Sequence, residues 1–281
     1  MNPLVPKIIG ATLNTLSHFS KDLAGKNALR LFRTPFNGQL LEQDKAFLST
    51  ANQEVFYHEN APIQTYHWEG DGPTVCFLHG WESNTARWKT FIKTLHAENC
   101  RVIAIDAPAH GGSGGIFSVS LYASFLEVVT QKWRPEILIG HSLGGSTAAY
   151  YQKHYQSSIK KLALLGTPSE LLELTNRFNR LLNLNQKVRE SIQERFQRIF
   201  GYPMAEFSVK KYARNFKIPG LVIHDEDDDV APFSDGISIA KNWKSAKFIG
   251  TKGLGHSLQD SDLVDQIRNF VFGDKGLPKE I

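Results

Sequence analysis

Cysteine and methionine are scarce, two of each in 281 residues. Cys76 and Cys100 cannot build a disulfide framework, and Cys76 lies in the apolar run Thr74–Leu78, where a thiol is expected to act as a small buried hydrophobe. A reducing compartment fits such usage, and a cytoplasmic location is expected. No apolar run approaches the roughly 18 residues that cross a bilayer, and the short apolar piece near the start lacks a cleavage site, so an unexported protein is expected. Charge of either sign is barely in excess, with 32 Lys and Arg against 28 Asp and Glu. Neither a clustered basic face nor a binding motif accompanies that balance, so nucleic acid is not an expected partner. Repeats and low-complexity tracts are missing too.

What the chain does have is apolar content, 41% of its residues, enough for a substantial buried core. Short β-rich runs alternate with longer helical stretches, the pattern of a mainly parallel sheet covered by helices on both faces. Strands are predicted at 54–57, 63–68, 74–78, 101–106, 136–140, 161–165, 220–224 and 246–250. The first two are close enough for a hairpin. Runs such as Val102–Ile105 and Leu221–Ile223 are continuously apolar, as strands buried on both faces require. Between Leu165 and Gly220 the strands stop, and Leu171, Leu174, Phe178, Leu181, Leu182, Val188, Ile192, Phe196 and Ile199 recur at helical spacing, which predicts an insertion of two or three helices.

The stretch Ile137–Tyr151 runs an apolar strand into Gly140-His141-Ser142-Leu143-Gly144-Gly145 and then into a helix of small residues. A serine that attacks a carbonyl must stand clear of the sheet, and a sharp strand-to-helix turn presents it only if the neighbouring residues have almost no side chain. Gly140 and Gly144 supply that room. The same turn leaves the N–H of Leu143 at a helix start, free to stabilise an oxyanion beside Ser142. The plainer reading of the glycines is a phosphate-binding or packing turn.

These residues, with His79-Gly80-Trp81 after the third strand, Asp106-Ala-Pro-Ala-His-Gly-Gly-Ser113 after the fourth and Lys252-Gly-Leu-Gly-His-Ser257 near the end, resemble the α/β-hydrolase family from about Glu54 to Phe272. The resemblance implies an α/β fold with a mostly parallel eight-stranded sheet and a small helical cap. It divides the chain into an N-terminal helical segment packed on the core (1–50), a core (51–166 and 219–281) and a cap (167–218). It implies Ser142 as nucleophile, His256 as base and Trp81 as the second oxyanion donor beside Leu143. His79, Gly80 and His141 would lie next to the substrate.

Imidazole titrates near working pH, so one of the ten histidines must accept the proton of Ser142, and the family order of serine, acid, histidine selects His256. His110 is expected to be structural or substrate-facing, and His224 to support its loop. The orienting acid is less clear-cut, because His224-Asp-Glu-Asp-Asp-Asp-Val-Ala-Pro232 offers five carboxylates in a row. Five consecutive residues cannot converge on one ion, and their spacing is not that of a calcium loop. No metal is expected. In the resembling family the acid lies four residues before a proline, which is Asp228 here. Asp225 stands where a glycine is usual, which leaves Asp227 as the second choice.

The implied activity is hydrolysis of a carboxylic ester or thioester through an acyl-enzyme, with a small-molecule acyl substrate and no cofactor. The alternatives are a non-catalytic ligand-binding protein of the same fold, or a carbon–carbon hydrolase, lyase or perhydrolase using the same three side chains. Residues 169–217 carry ten Lys or Arg against five acids, with Arg195 and Arg198 among them. A solvated helix face explains this plainly, while a basic cap would favour acidic acyl carriers or anionic lipid. Residues 1–40 hold Lys7, Lys21, Lys26, Arg30 and Arg33 against Asp22 among helically spaced apolar residues, so a membrane-surface helix stands as the lesser alternative to packing on the main domain.

Overall fold

Eight strands form one sheet in the computed structural model, which describes residues 4–273. The strands are β1 (Asn52–His58), β2 (Ala61–Trp68), β3 (Thr74–Leu78), β4 (Arg101–Ile105), β5 (Ile137–His141), β6 (Lys161–Leu165), β7 (Gly220–Asp225) and β8 (Ala246–Thr251). Their spatial order is β1-β2-β4-β3-β5-β6-β7-β8. β2 runs antiparallel to both neighbours, and every pairing from β4 to β8 is parallel. The last expected core residues, 274–281, and the first three of the N-terminal segment lie outside the described residues.

Eleven helices accompany the sheet among the described residues: α1 (Leu4–Phe19), α2 (Lys21–Phe32), α3 (Glu42–Leu48), α4 (Lys89–Ala97), α5 (Val119–Trp133), α6 (Leu143–His154), α7 (Leu171–Leu181), α8 (Gln186–Phe200), α9 (Val209–Ala213), α10 (Phe233–Asn242) and α11 (Ser261–Phe272). The central strands β3 to β7 are buried along nearly their whole length, which is why they read as unbroken apolar runs. Phe77, Trp88, Phe91, Ile139 and Ile223 belong to the core on one face, and both cysteines are buried free thiols. Burying Val102, Ile103, Leu138 and Ile139 completely removes side chains worth about 1.5–3 kcal/mol each from water.

The chain forms two compact units. The sheet unit comprises Pro35–Ser169 and the described residues from Val209 onward, and the helical unit comprises the described residues to Thr34 with Glu170–Ser208. This division differs from the sequence-based one, because α1 and α2 share a core with α7 and α8. Leu13, Ala24, Ala28 and Leu29 pack with Leu182, Leu184, Val188, Ile192 and Phe196. Two glycines permit the close approach: a Cβ on Gly10 would lie 1.7 Å from the carbonyl oxygen of Leu182, and one on Gly25 2.0 Å from Oγ of Ser191. Paired main chain at Glu170 and Ser208 brings the ends of the inserted segment together. No helix of the described residues is long and apolar enough to cross a membrane.

Candidate active site

Parallel strands leave their carboxyl ends on one edge of the sheet, and the segments leaving β3, β4, β5, β7 and β8 carry Trp81, His110, Ser142, Asp228 and His256 respectively. Ser142 stands between β5 and α6 with φ +53° and ψ −123°, a conformation that costs a non-glycine residue about 1–3 kcal/mol. Its neighbours make the turn possible. A Cβ on Gly140 would lie 2.6 Å from Gly144 and Gly145, one on Gly144 2.2 Å from the carbonyl of Leu78, and one on Gly145 1.9 Å from the Thr167 hydroxyl. The N–H of Ser142 donates to the carbonyl of Leu165 at 2.8 Å, tying the turn to β6.

Three side chains distant in sequence meet here. His256 Nε2 lies 2.9 Å from Oγ of Ser142, and its Nδ1 lies 2.8 Å from Oδ2 of Asp228. With Nδ1 protonated toward the carboxylate, Nε2 presents a lone pair to the serine hydroxyl. Asp228 Oδ1 accepts from the N–H groups of Val230 and Ala231, both at 2.8 Å. Burial alone would raise this carboxyl's pKa, but hydrogen bonds from His224, His256 and the Ala231 N–H outweigh it and hold the group well below the usual carboxylate range. Asp227, the second choice from sequence, accepts from the N–H of Gly253 at 3.1 Å.

The histidine loop is fixed from several directions, and the residues that fix it are ones the sequence reading gave little weight. Asp225 Oδ1 accepts from the N–H groups of Asp227 and Gly255, and Oδ2 from the Leu254 N–H and the Thr251 hydroxyl, at 2.7–3.1 Å. The carbonyl of His256 accepts from His141 Nε2 at 2.7 Å, and the Ser257 carbonyl accepts from Arg87. Burial pushes the His141 pKa well below the usual imidazole value, so this ring donates while uncharged. His224 is buried with Nε2 2.9 Å from the Ala231 carbonyl and 3.3 Å from Asp228 Oδ2.

On the other flank, His79 is also buried, and its pKa is driven down to about 3 by burial and then by His110. Its Nδ1 donates to the Gly80 carbonyl and its Nε2 accepts from the Ala107 N–H, both at 2.8 Å. Gly80 runs against the serine, where a Cβ would sit 2.7 Å from that of Ser142. Among the described residues, the main-chain N–H groups of Trp81 and Leu143 have no hydrogen-bond partner. His110 Nε2 accepts from the Glu82 N–H at 3.0 Å, which makes it a pin for its loop. The structure therefore gathers Ser142, His256 and Asp228 into direct contact. His79 and His141 lie just behind them as supports.

A sequence model described as alpha/beta hydrolase fold matches residues 73–208, a stretch that includes the turn around Ser142. Strand order, elbow and loops agree with it. The chain's fold is the α/β-hydrolase fold. This α/β-hydrolase-fold chain is 28% identical over 149 residues to a serine hydrolase-like protein of Danio rerio, covering 49% of the chain and 45% of that protein. It is 23% identical over 261 residues to a bifunctional esterase/perhydrolase of Acinetobacter calcoaceticus, covering 74% of the chain and 91% of that protein. A solved membrane phospholipase A superposes with TM-score 0.63 at 17% identity over 95% of this chain and 97% of that one, a likeness of fold alone. The chain spans about half or less of the length of most of the curated relatives it matches.

Proposed function

We propose that this protein is a serine hydrolase that cleaves a carboxylic ester or thioester through an acyl-enzyme on Ser142. The observation that carries this reading is the unbroken chain of contacts from Ser142 Oγ through His256 to Asp228, at 2.9 and 2.8 Å. His256 takes the Ser142 proton as Oγ adds to the substrate carbonyl. It returns that proton to the departing alcohol or thiol as the tetrahedral adduct collapses. Water, deprotonated by the same imidazole, then adds to the acyl-enzyme, and Ser142 leaves with the proton as the free acid is released. Asp228 holds the imidazole in the reactive tautomer and stabilises the imidazolium.

The N–H groups of Leu143 and Trp81 are the proposed oxyanion donors, and loss of one such donor typically costs about 10²–10³ in kcat. Likeness to esterases supports the ester class. The same acyl-enzyme can be discharged by hydrogen peroxide in place of water, and likeness to an esterase/perhydrolase makes peroxide the second acceptor to test. A panel of nitrophenyl esters and acyl thioesters of graded chain length tests the reading. Turnover by the wild type that falls by orders of magnitude in Ser142→Ala is expected, whereas equal rates for the two proteins would reject it. A wild type that binds these acyl compounds tightly without turning any of them over would instead support the ligand-binding alternative.

A further inference from the structure

The outward face of α1 breaks the usual pattern of a water-facing helix. Pro6, Gly10, Leu13 and Ser17 are buried, and on the opposite side lie Leu4, Val5, Ile8, Ala11, Thr12, Thr15 and Phe19. That side holds no charge. Ile8 is 64% exposed and Phe19 85%, and their alignment along one helix face makes a contiguous apolar row rather than scattered single residues. Leu181, at the end of α7, is 64% exposed and lines a cavity of about 470 Å³ with Lys7, Asn14 and Arg180. Asn14 lines that cavity, donating to the Asn183 carbonyl and accepting from the Asn185 N–H.

Charge points the same way. The helical unit has eleven Lys and Arg against six Asp and Glu, which leaves 21 and 22 of the chain's 32 and 28 for everything else. The whole positive excess of the protein resides in this unit. Arg195 and Arg198, which the sequence alone singles out, both face Asp22, and Lys21 is engaged by Glu190 and Glu194. Lys7 and Arg180, beside the apolar row, make no ion pair among the described residues.

We infer that the helical unit docks on an anionic lipid surface through α1 and the end of α7. Leu4, Ile8, Phe19 and Leu181 enter the acyl boundary, while Lys7 and Arg180 meet headgroup phosphates. An acidic protein partner would answer the charges, but a helix with an uncharged apolar row flanked by cations is the pattern of one that lies in a lipid interface. The proposal is independent of the chemistry assigned to Ser142.

Co-sedimentation of the full chain with vesicles of phosphatidylcholine, with and without phosphatidylglycerol, tests it. The wild type is expected to sediment with the anionic vesicles, less so at high salt, and to remain in solution with the neutral ones. Lys7→Glu with Arg180→Glu, and separately Ile8→Asp with Leu181→Asp, should each weaken partitioning by about tenfold or more. All four positions are solvent-exposed, so melting curves should match the wild type. Lys217→Glu with Lys244→Glu, exposed charges of the sheet unit, should change little. Absence of sedimentation, or unaltered sedimentation of the Lys7/Arg180 variant, would overturn the proposal. So would loss in that variant with full retention in the Ile8/Leu181 variant, the pattern of a purely ionic contact.

Discussion

Two carboxylates are buried at the same edge of the sheet, Asp106 after β4 and Asp228 after β7, and their surroundings pull them in opposite directions. Asp106 accepts from the Thr85 N–H and hydroxyl, the Gly112 N–H and the Tyr66 hydroxyl. Burial raises its pKa in spite of them. Its nearest histidine, His79, is 3.8 Å away with the facing Nε2 already holding the Ala107 N–H. Asp228 has two histidines against it, one of them in contact with a serine, and its pKa is lowered. A buried acid becomes a candidate relay only when the imidazole beside it has a free nitrogen aimed at a nucleophile. Otherwise it is a pin for loops.

Replacing each carboxylate by its amide gives the sharpest contrast. Asp228→Asn should lower kcat by roughly 10³–10⁴, because an amide favours the wrong imidazole tautomer. Asp106→Asn should keep kcat within about tenfold in whatever remains folded, yet lower stability to denaturant by roughly 2–4 kcal/mol, since an amide cannot accept four hydrogen bonds. Equal kinetic losses in the two variants would erase the distinction. Asp225→Ala comes next, with kcat reduced by about 10²-fold from misplacement of His256 and KM little changed. Asp227→Asn should cost only a few-fold, since one N–H is its bond to the histidine loop. A loss there larger than that of Asp228→Asn would transfer the orienting role.

The smallest effect is the pH dependence of stability, and it has opposite sign at the two sites. Asp228 has a folded pKa below its unfolded value, so its contribution is complete above about pH 4 and fades as acid protonates the folded carboxylate. Asp106 has a folded pKa above the ordinary carboxylate value, so its contribution is present in acid and is lost as pH rises through the folded value. The stability difference between wild type and Asp228→Asn should therefore shrink on acidification from about pH 5. The difference between wild type and Asp106→Asn should shrink as pH rises from about 4. Urea midpoints across that range would read both trends.

How much of this was legible in the sequence follows from how local each signal is. β3 and β6 begin and end where their apolar runs do, at Thr74–Leu78 and Lys161–Leu165. At β5 the boundary moves by one, because Glu136 precedes the strand and His141 closes it. Ser142 was legible because the glycines that make its turn are its immediate neighbours. Asp225 was not. It reads as a departure from the expected glycine, and its partners Thr251, Leu254 and Gly255 lie 26–30 residues further on. The pairing of α1 and α2 with α8 was equally hidden, because periodicity shows that a helix buries a face without saying against what.

Fluorophosphonate labelling followed by peptide mapping tests the central claim most directly, namely that His256 and Asp228 make the hydroxyl of Ser142 a nucleophile. One modified peptide is expected, carrying Ser142, formed quickly by the wild type, orders of magnitude more slowly by His256→Ala and not at all by Ser142→Ala. Labelling at another residue, or a rate unchanged by removal of His256, would contradict it.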